Sequence, residues 1–266
     1  MPLIEVEKVG LVRRLTLNRP ETRNALSMEL LQQLSAELET GVDDEETSVF
    51  VVQGAGKSFS SGFEFGSSYG QAKGVDPVGD RERLRRRTAH LESVWLCPLP
   101  VIAAVHGHCL AGGSELALHC DVLLVSEDAS IGYPPVRNLG VPPTSQWLYR
   151  VGIQQAKRLM LTGDQISGPE AVRIGLALDC VPHDSLAETA MALAQRMALI
   201  DRRLLAGNKA ALNRGIDLMG RTVLNRIAET EDAIGHLSPA AARFRADVRE
   251  NGLKTALHHR DNPFAQ

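Results

Sequence analysis

Two glycine-rich segments carry the residue types that could do chemistry. The first is GAGKSFSSGFEF at positions 54–65, and the second is GHCLAGGSELALHCD at positions 107–121. Each follows an apolar run that is typical of a buried strand, so its glycines leave backbone N–H groups unpaired and approachable. Where such a loop opens a helix, the positive end of the helix dipole adds to these groups. Both segments are therefore candidate anion sites.

The second segment also places a carboxylate near its glycines. Gly112 and Glu115 are three residues apart, so in a helix they share one face. A base beside a pocket of N–H donors is suited to enolate chemistry. Glycine loops are common in α/β proteins, so the pattern alone leaves a purely structural role open. Burial raises the pKa of such a glutamate and a helix N-terminus lowers it, so the direction of the shift also stays open.

The elements around these segments predict an α/β core. Residues 1–17 alternate in polarity about Gly10, which predicts a hairpin, and Ser27 precedes a leucine stripe that predicts a capped helix. Further strands are predicted at 49–52, 101–105, 121–125 and 176–181, with helices at 114–119, 187–199, 205–219 and 221–237. The Gly- and Ser-rich segment from Gly66 to Gly79 is predicted to be a mobile loop near a site.

Composition and charge exclude several classes of protein. The 266 residues are 44% hydrophobic and 23% charged, with a formal net charge of −3, which is typical of a soluble globular protein. Glu5 and Glu7 lie where a signal peptide would need an apolar run, and no stretch approaches the ~18 apolar residues of a membrane span. We expect a cytoplasmic protein without a membrane or nucleic-acid partner. Four cysteines without a C-x-x-C pair predict reduced thiols.

Three motifs in chain order carry a family resemblance. They are NRPETRNAL at 18–26, FSSGFE at 59–64 and HGHCLAGGSELA at 106–117, the last followed by Cys120 and Asp121. Together they resemble the successive signatures of the enoyl-CoA hydratase/isomerase family, also called crotonases. The resemblance continues through IGYP at 131–134, AKRL at 156–159 and LTG at 161–163, so it spans most of the chain.

The resemblance implies a fold and an assembly. The fold is α/β, a crotonase-like spiral of β-β-α units with a helical C-terminal trimerisation region. We expect residues 1–200 to form the core with the acyl-CoA site and residues 201–266 to form the oligomerisation region. The expected assembly is a homotrimer or a hexamer built as a dimer of trimers.

The resemblance also assigns roles to residues. Glu115 matches the first of the two catalytic glutamates of the hydratases, and the oxyanion donors are the backbone N–H groups of Phe63 and Gly112. The coenzyme A and substrate positions are Arg23, Ala25, Ser61, Gly62, Phe65, Gly113 and Pro135. Coenzyme A enters as part of the substrate, so no separate cofactor and no metal ion is expected.

One position departs from the family pattern. The second glutamate of the hydratases should follow the first proline of IGYPPV, where this chain has Pro135. Proline cannot transfer a proton, and loss of one acid-base group costs about 10²–10⁴ in rate. Glu64, Tyr133 and Asn138 are candidates to replace it. We predict an enoyl-CoA hydratase, with a double-bond isomerase or an acyl-CoA-binding protein of little hydratase activity as alternatives.

Two other chemistries are weaker hypotheses. Ser114 lies in a Gly-Gly-Ser-Glu context but lacks the G-x-S-x-G elbow of a serine hydrolase. A zinc site would need four converging ligands, drawn from His106, His108, Cys109, His119 and Cys120, which the second segment spreads along a helix. The basic run RERLRRR at 81–87 predicts a solvated helix face, since aromatic residues for base stacking make up only 4% of the chain.

Overall fold

The computed structural model describes residues 2–66 and 76–265. Within these residues the strands form one sheet of six strands and one of three. The strands are β1 (Ile4–Val9), β2 (Val12–Leu17), β3 (Val49–Gly54), β4 (Val101–Val105), β5 (His108–Leu110), β6 (Val122–Ser126), β7 (Ser130–Gly132), β8 (Gln165–Ser167) and β9 (Asp179–Val181). The helices are α1 (Met28–Asp43), α2 (Pro77–Leu96), α3 (Gly112–His119), α4 (Gln146–Thr162), α5 (Gly168–Arg173), α6 (His183–Met197), α7 (Arg202–Leu218), α8 (Arg221–Gly235), α9 (Pro239–Asn251) and α10 (Leu253–Asp261).

The six-stranded sheet has the order β1-β2-β3-β4-β6-β9. β1 and β2 form the predicted antiparallel hairpin, and the remaining pairs are parallel. Parallel neighbours require crossovers, which here contain α1 between β2 and β3, α2 between β3 and β4, and α3 between β4 and β6. The small sheet pairs β5 with β7 in parallel and β7 with β8 in antiparallel orientation. The predicted α/β alternation is confirmed.

Apolar side chains cover both faces of the six-stranded sheet. Because side chains alternate along a strand, Phe50 and Val52 face a core that includes α1, α2 and α3, whereas Val49 and Val51 face α6. β4 is buried along its whole length, as the continuous apolar run at 101–105 predicted. The buried sheet fixes where β3 and β4 end, and therefore where both glycine-rich segments begin.

Several sequence-based boundaries are wrong. The helices predicted to begin at 187 and 205 begin at His183 and Arg202, and two further errors concern a loop and a strand. Asp76 accepts hydrogen bonds from the Val78 and Gly79 amides at 3.1 and 3.0 Å, so the chain enters α2 at Pro77 rather than continuing as a loop to Gly79. An aspartate followed by proline is a helix-start signal. Residues 67–75 of the predicted loop lie outside the described residues. The predicted strand at 176–181 is shorter and begins at Asp179, because the Leu176 and Ala177 amides bond to the Ala171 carbonyl at the end of α5.

A buried ion pair ties α7 to the sheet, and its loss is a testable prediction. Lys209 donates to Asp121 Oδ2 at 2.7 Å and to the Leu99 carbonyl at 3.1 Å. Lys209→Met leaves the Asp121 carboxylate without its cation, so we expect unfolding to become easier by about 3 kcal/mol. Urea unfolding of Lys209→Met and of the exposed control Lys157→Met measures it. Equal midpoints for both variants would show that the pair adds no stability.

No helix in residues 2–66 and 76–265 is both long and apolar enough to cross a bilayer. The predicted division of the chain at residue 200 stays a prediction.

Candidate active site

Asn24 joins the first motif to the first glycine-rich segment. It is fully buried, and its side-chain amide donates to the carbonyls of Ala55 at 2.9 Å and Ser58 at 2.7 Å, while its Oδ1 accepts from the Arg19 amide at 2.9 Å. Asn24 has a φ of 53°, a left-handed conformation that asparagine adopts more easily than most residues. The NRPETRNAL motif therefore serves first to fold the turn that holds the segment after β3.

The two glycine-rich segments then pair with each other. Ser60 donates its amide to the His108 carbonyl at 2.9 Å and accepts from the Leu110 amide at 3.0 Å. The Phe59 amide bonds to the His106 carbonyl at 2.8 Å. A Cβ on Gly107 would lie 2.1 Å from the Lys57 carbonyl oxygen, so glycine is needed for this close approach. The pairing brings the two segments side by side although about fifty residues separate them.

The backbone N–H of Phe63 is left free by this arrangement. The Leu26 amide donates to the Gly62 carbonyl at 2.8 Å, and the Leu26 carbonyl accepts from the Glu64 amide at 3.1 Å. Since alternate residues of an extended strand point their amides to opposite sides, the Phe63 N–H faces away from Leu26. It has no hydrogen-bond partner among the described residues.

Gly112 supplies a second free N–H beside it. Gly112 is the first residue of α3, and Ala111 before it has φ 53° and ψ −124° and makes no side-chain cap. The Gly112 N–H has no partner among the residues that the structure describes, and it lies at the positive end of α3. A Cβ on Gly62 would lie 3.1 Å from the Gly112 nitrogen, and a Cβ on Gly112 would lie 2.7 Å from the Phe63 ring. The segments carrying the two free amides are therefore in contact.

A cavity of about 780 Å³ lies against these segments. Phe63, Leu110 and Ala111 line it next to the two amides. Of the predicted substrate positions, the structure brings these to its wall: Arg23, Ala25, Ser61, Phe65 and Pro135. Gly62 and Gly113 are buried and do not line it; a Cβ on Gly113 would lie 2.6 Å from the Ser60 carbonyl oxygen. Those two glycines allow the segments to pack closely.

One part of the cavity wall carries basic side chains. Arg23, His108, His258 and Arg260 line it, and of these the two arginines are permanent cations. Burial and then the charge of Arg23 lower the pKa of His108, which favours its neutral form. Arg260 is paired with Asp261, whereas Arg23 has no ion-pair partner in the described part of the chain. The Ala25 N–H likewise has no partner there. α10 thus contributes to the cavity, since His258, Arg260 and Asp261 all lie on it.

Glu115 is fully buried and does not line the cavity. Trp147 Nε1 donates to Oε1 at 3.1 Å, and Thr144 Oγ1 donates to Oε2. Burial, and to a smaller extent the charge of Asp232, raise the pKa of Glu115 to about 8, although the two hydrogen bonds act in the other direction. The direction that the sequence left open is therefore upward, because desolvation outweighs the hydrogen bonds. Glu115 is protonated at neutral pH.

This shift predicts how stability depends on pH. The folded chain holds the Glu115 proton more tightly than the unfolded chain, whose pKa is near 4.5, so the stabilisation is complete below pH 4.5 and is lost as pH rises through about 8. Glu115→Gln removes this dependence and still accepts from Trp147 and donates to Thr144. We expect Glu115→Gln to match the wild type at pH 4.5 and to exceed it above pH 8, by roughly 5 kcal/mol at most. Urea unfolding across pH 4.5–9 tests this, and parallel curves for both proteins would contradict it.

The three candidates to replace the missing glutamate lie in different settings. Glu64 lines the cavity but is bound by Arg19 at 2.6 Å, which indicates a structural role. Tyr133 also lines it and is 5% exposed. Asn138 does not line the cavity. Its backbone N–H donates to the carbonyl of Pro135, which belongs to the 3-10 turn Pro134–Arg137.

Several residues of the cavity wall were not assigned to the site by sequence reasoning. They include Asp232 of α8, His236 directly after α8, and His258 and Arg260 of α10, while Arg87 of α2 was considered only as part of the basic run at 81–87. Asp232 and His236 are four residues apart in a helix that the sequence assigned only a packing role. A carboxylate and a histidine at that spacing on one helical face was the signal that could have identified them.

The two weaker hypotheses find no support in the geometry. Ser114 is fully buried and donates to the carbonyls of Ala111 at 2.8 Å and Gly132 at 3.0 Å, so its hydroxyl is not oriented by a histidine. Its role is to hold α3 against β7. No group of three or more His, Cys, Asp or Glu side chains within residues 2–66 and 76–265 is placed to hold a metal ion.

Comparisons with known proteins agree with this geometry. A family model described as enoyl-CoA hydratase/isomerase matches residues 7–237. The 2,3-dehydroadipyl-CoA hydratase of Escherichia coli (strain K12) is 34% identical over 229 residues, covering 82% of this chain and 87% of that protein. The short-chain-enoyl-CoA hydratase of Clostridium acetobutylicum is 32% identical over 221 residues, covering 79% and 81%. The crystal structure of an enoyl-CoA hydratase/isomerase from Xanthobacter autotrophicus Py2 matches with a TM-score of 0.93 and 34% identity, covering 100% and 99% of the two chains.

The chain belongs to the enoyl-CoA hydratase/isomerase family. It is an enzyme of that family and has the crotonase fold, so the resemblance and the fold class predicted from the motifs are confirmed. Enzymes of this family act on coenzyme A thioesters.

Proposed function

We propose that this enzyme adds water to the double bond of a 2-enoyl-CoA thioester. The observation that carries the proposal is the pair of free backbone N–H groups, Phe63 and Gly112, on adjoining segments beside one cavity. When water attacks carbon 3, an electron pair moves onto the thioester oxygen. Two fixed N–H donors stabilise that charge, and one such donor is worth about 10²–10³ in rate. The names of the curated relatives as hydratases support the same reaction.

The coenzyme A part of the substrate is assigned to the cationic part of the cavity. Arg23 is exposed and has no carboxylate partner in the described chain, so it is available for a phosphate. The Ala25 N–H offers a hydrogen bond to the adenine, and Ser61 and Phe65 line the path towards Phe63. The ring centroids of Phe65 and Phe244 are 6.3 Å apart, so Phe244 supports Phe65 in the cavity wall. In this proposal coenzyme A arrives with the substrate and the reaction needs no cofactor or metal ion.

Glu115 is assigned as the general acid. Its pKa near 8 keeps it protonated at neutral pH, and it stands one turn beyond Gly112 on α3. A protonated carboxyl at that place can deliver a proton to carbon 2 of the enolate. Thr144 and Trp147 orient it in the absence of substrate.

The double-bond isomerase stays the second candidate, although Pro135 weakens it as well, because the simple isomerases that this chain resembles often rely on a carboxyl at that position. Moving a proton between carbons 2 and 4 would then fall to Glu115 alone. Both reactions are read from the absorbance of the conjugated enoyl thioester. Loss of absorbance from crotonyl-CoA shows hydration, gain of absorbance from a 3-enoyl-CoA shows isomerisation, and Glu115→Gln is the control for each. Binding of acyl-CoA without turnover of either substrate would instead indicate a non-catalytic protein.

A homotrimer or hexamer stays our expectation for the assembly. α7, α8 and the turn between them carry large apolar side chains that are at least half exposed in the single chain: Leu204, Leu212, Leu218, Met219, Val223 and Ile227. Faces of this kind are typical of subunit contacts. Sedimentation equilibrium distinguishes a trimer from a hexamer and from a monomer. The cytoplasmic location also stays a prediction.

A further inference from the structure

Three titratable side chains form a chain that ends at the cavity wall. Asp80, in the first turn of α2, is 2.5 Å from His236 Nδ1, and His236 Nε2 is 3.5 Å from Asp232 Oδ1. Asp80 and Asp232 are 7% and 3% exposed. Asp232 and His236 both line the cavity that also contains Phe63 and Pro135. The order is therefore Asp80, His236, Asp232 and then the substrate space.

The turn that carries Pro135 also makes room for Asp232. The Leu139 and Gly140 amides bond to the Pro135 carbonyl at 2.8 and 3.2 Å. A Cβ on Gly140 would lie 2.1 Å from Asp232 Oδ1, so only glycine permits this approach. The backbone N–H of Val141 lies near enough to the Asp232 carboxylate to lower its pKa. The segment that lacks the expected glutamate thus holds another carboxylate, from α8, at the same cavity.

Charged groups from several elements act on Asp232. The pKa of Asp232 is raised to about 6. Burial and the negative charge of Asp80 raise it, while the charges of His236 and Arg87 lower it. The pKa of His236 is itself raised by Asp80 and Asp232, although burial and Arg245 from α9 lower it. Arg83 holds Asp80 at 2.8 Å, and Tyr133 lines the cavity beside Arg87.

The two carboxyl groups differ in protonation at neutral pH. Asp232, with a pKa near 6, is mainly ionised, and Glu115, with a pKa near 8, is mainly protonated. The charge of Asp232 is close enough to raise the pKa of Glu115. Two carboxyls whose environments separate their pKa values in this way divide the roles of base and acid between them.

We propose that Asp232 is the general base that activates water in this enzyme, in place of the carboxylate absent at Pro135, and that His236 and Asp80 position it. This inference rests on the proposed function. The Asp232 carboxylate accepts a proton from water as the water oxygen bonds to carbon 3. The electron pair of the carbon–carbon double bond moves towards the thioester, whose oxygen becomes the enolate held by Phe63 and Gly112. Carbon 2 then takes the Glu115 proton. Transfer of the proton from Asp232 back to Glu115 through water restores both groups, so one water is consumed per 3-hydroxyacyl thioester.

The test is the pH profile of crotonyl-CoA hydration by Asp232→Asn and His236→Gln. Asp232→Asn should lower kcat by about 10²–10⁴ and remove the fall in activity below pH 6, because no carboxylate titrates there. His236→Gln should lower kcat less, and it should move the acidic limb to higher pH, because the cation that lowers the pKa of Asp232 is gone. If Asp232 and His236 only supported packing, neither substitution would change the acidic limb of the pH profile.

A second Asp-His pair provides a matched control. Asp247 Oδ2 lies 2.9 Å from His259 Nδ1 outside the cavity wall, so Asp247→Asn should leave kcat and the acidic limb unchanged. Wild-type kcat with the wild-type acidic limb in folded Asp232→Asn would overturn the inference while leaving hydration intact. If the wild type turns over no 2-enoyl thioester, the proposed function fails and this inference with it. If Asp232→Asn does not fold, the acidic limb of the His236→Gln pH profile provides the test. An acidic limb at the wild-type pH would overturn the inference.

Discussion

Hydration of crotonyl-CoA should slow by about 10²–10³ when the N–H of residue 112 is removed by proline. The reason is that the Gly112 amide, at the first position of α3, has no partner in the described chain and stands beside the equally free amide of Phe63. Proline is accepted at the first position of a helix, where its missing N–H breaks no helical hydrogen bond. The change therefore removes the donor and leaves the helix ladder intact.

The size of the new side chain has to be separated from the loss of the N–H. A Cβ at residue 112 would lie 2.7 Å from the Phe63 ring, so both proline and alanine press on that ring. We therefore place both changes in a Phe63→Ala background, which keeps the backbone amide of residue 63. Gly112→Ala retains the donor and Gly112→Pro lacks it. Steady-state kinetics with circular dichroism to confirm folding gives the comparison, and equal kcat in the two folded variants would remove Gly112 from the oxyanion pocket.

Replacing Glu115 by glutamine should lower kcat by about 10²–10⁴. Glutamine keeps the shape and both hydrogen bonds, with Trp147 and Thr144, but it has no proton to give to carbon 2. Because Glu115 does not line the cavity, we expect KM to change much less than kcat. The control is Glu188→Gln on α6, where the side chain is exposed, and it should behave as the wild type.

The pH profile of the wild type provides an independent check on Glu115. A general acid with a pKa near 8 loses its proton as the pH rises, so kcat should fall above pH 8. Folded Glu115→Gln that keeps more than a tenth of the wild-type kcat would show that this carboxyl transfers no proton. Its hydrogen bonds with Thr144 and Trp147 would then have only a structural role.

Local sequence determined the elements that carry the two free backbone amides, which we propose as oxyanion donors. The apolar runs before residues 54 and 107 are buried on both faces of a sheet, so they predicted where strands end and glycine-rich loops begin. The helix predicted at 114–119 begins two residues earlier, at Gly112, so Gly112 and Glu115 share one helix as their spacing allowed. These predictions succeed because strand burial and helical spacing depend on residues that are adjacent in the chain. The family also followed from motifs in chain order, and the comparisons confirm it.

Tertiary structure decided what the carboxyl groups can do. Burial in the core raises the pKa of Glu115, while hydrogen bonds from Thr144 and Trp147, which are 29 and 32 residues away in the chain, lower it. Asp232 reaches the cavity from α8, a helix whose apolar stripe indicated packing alone. A pKa depends on which distant groups replace water around a carboxyl, and neither periodicity nor spacing records that. The sequence by itself therefore determined the family, the loops and the position of Glu115, whereas the folded chain decided its protonation and placed the Asp232 carboxylate at the cavity wall.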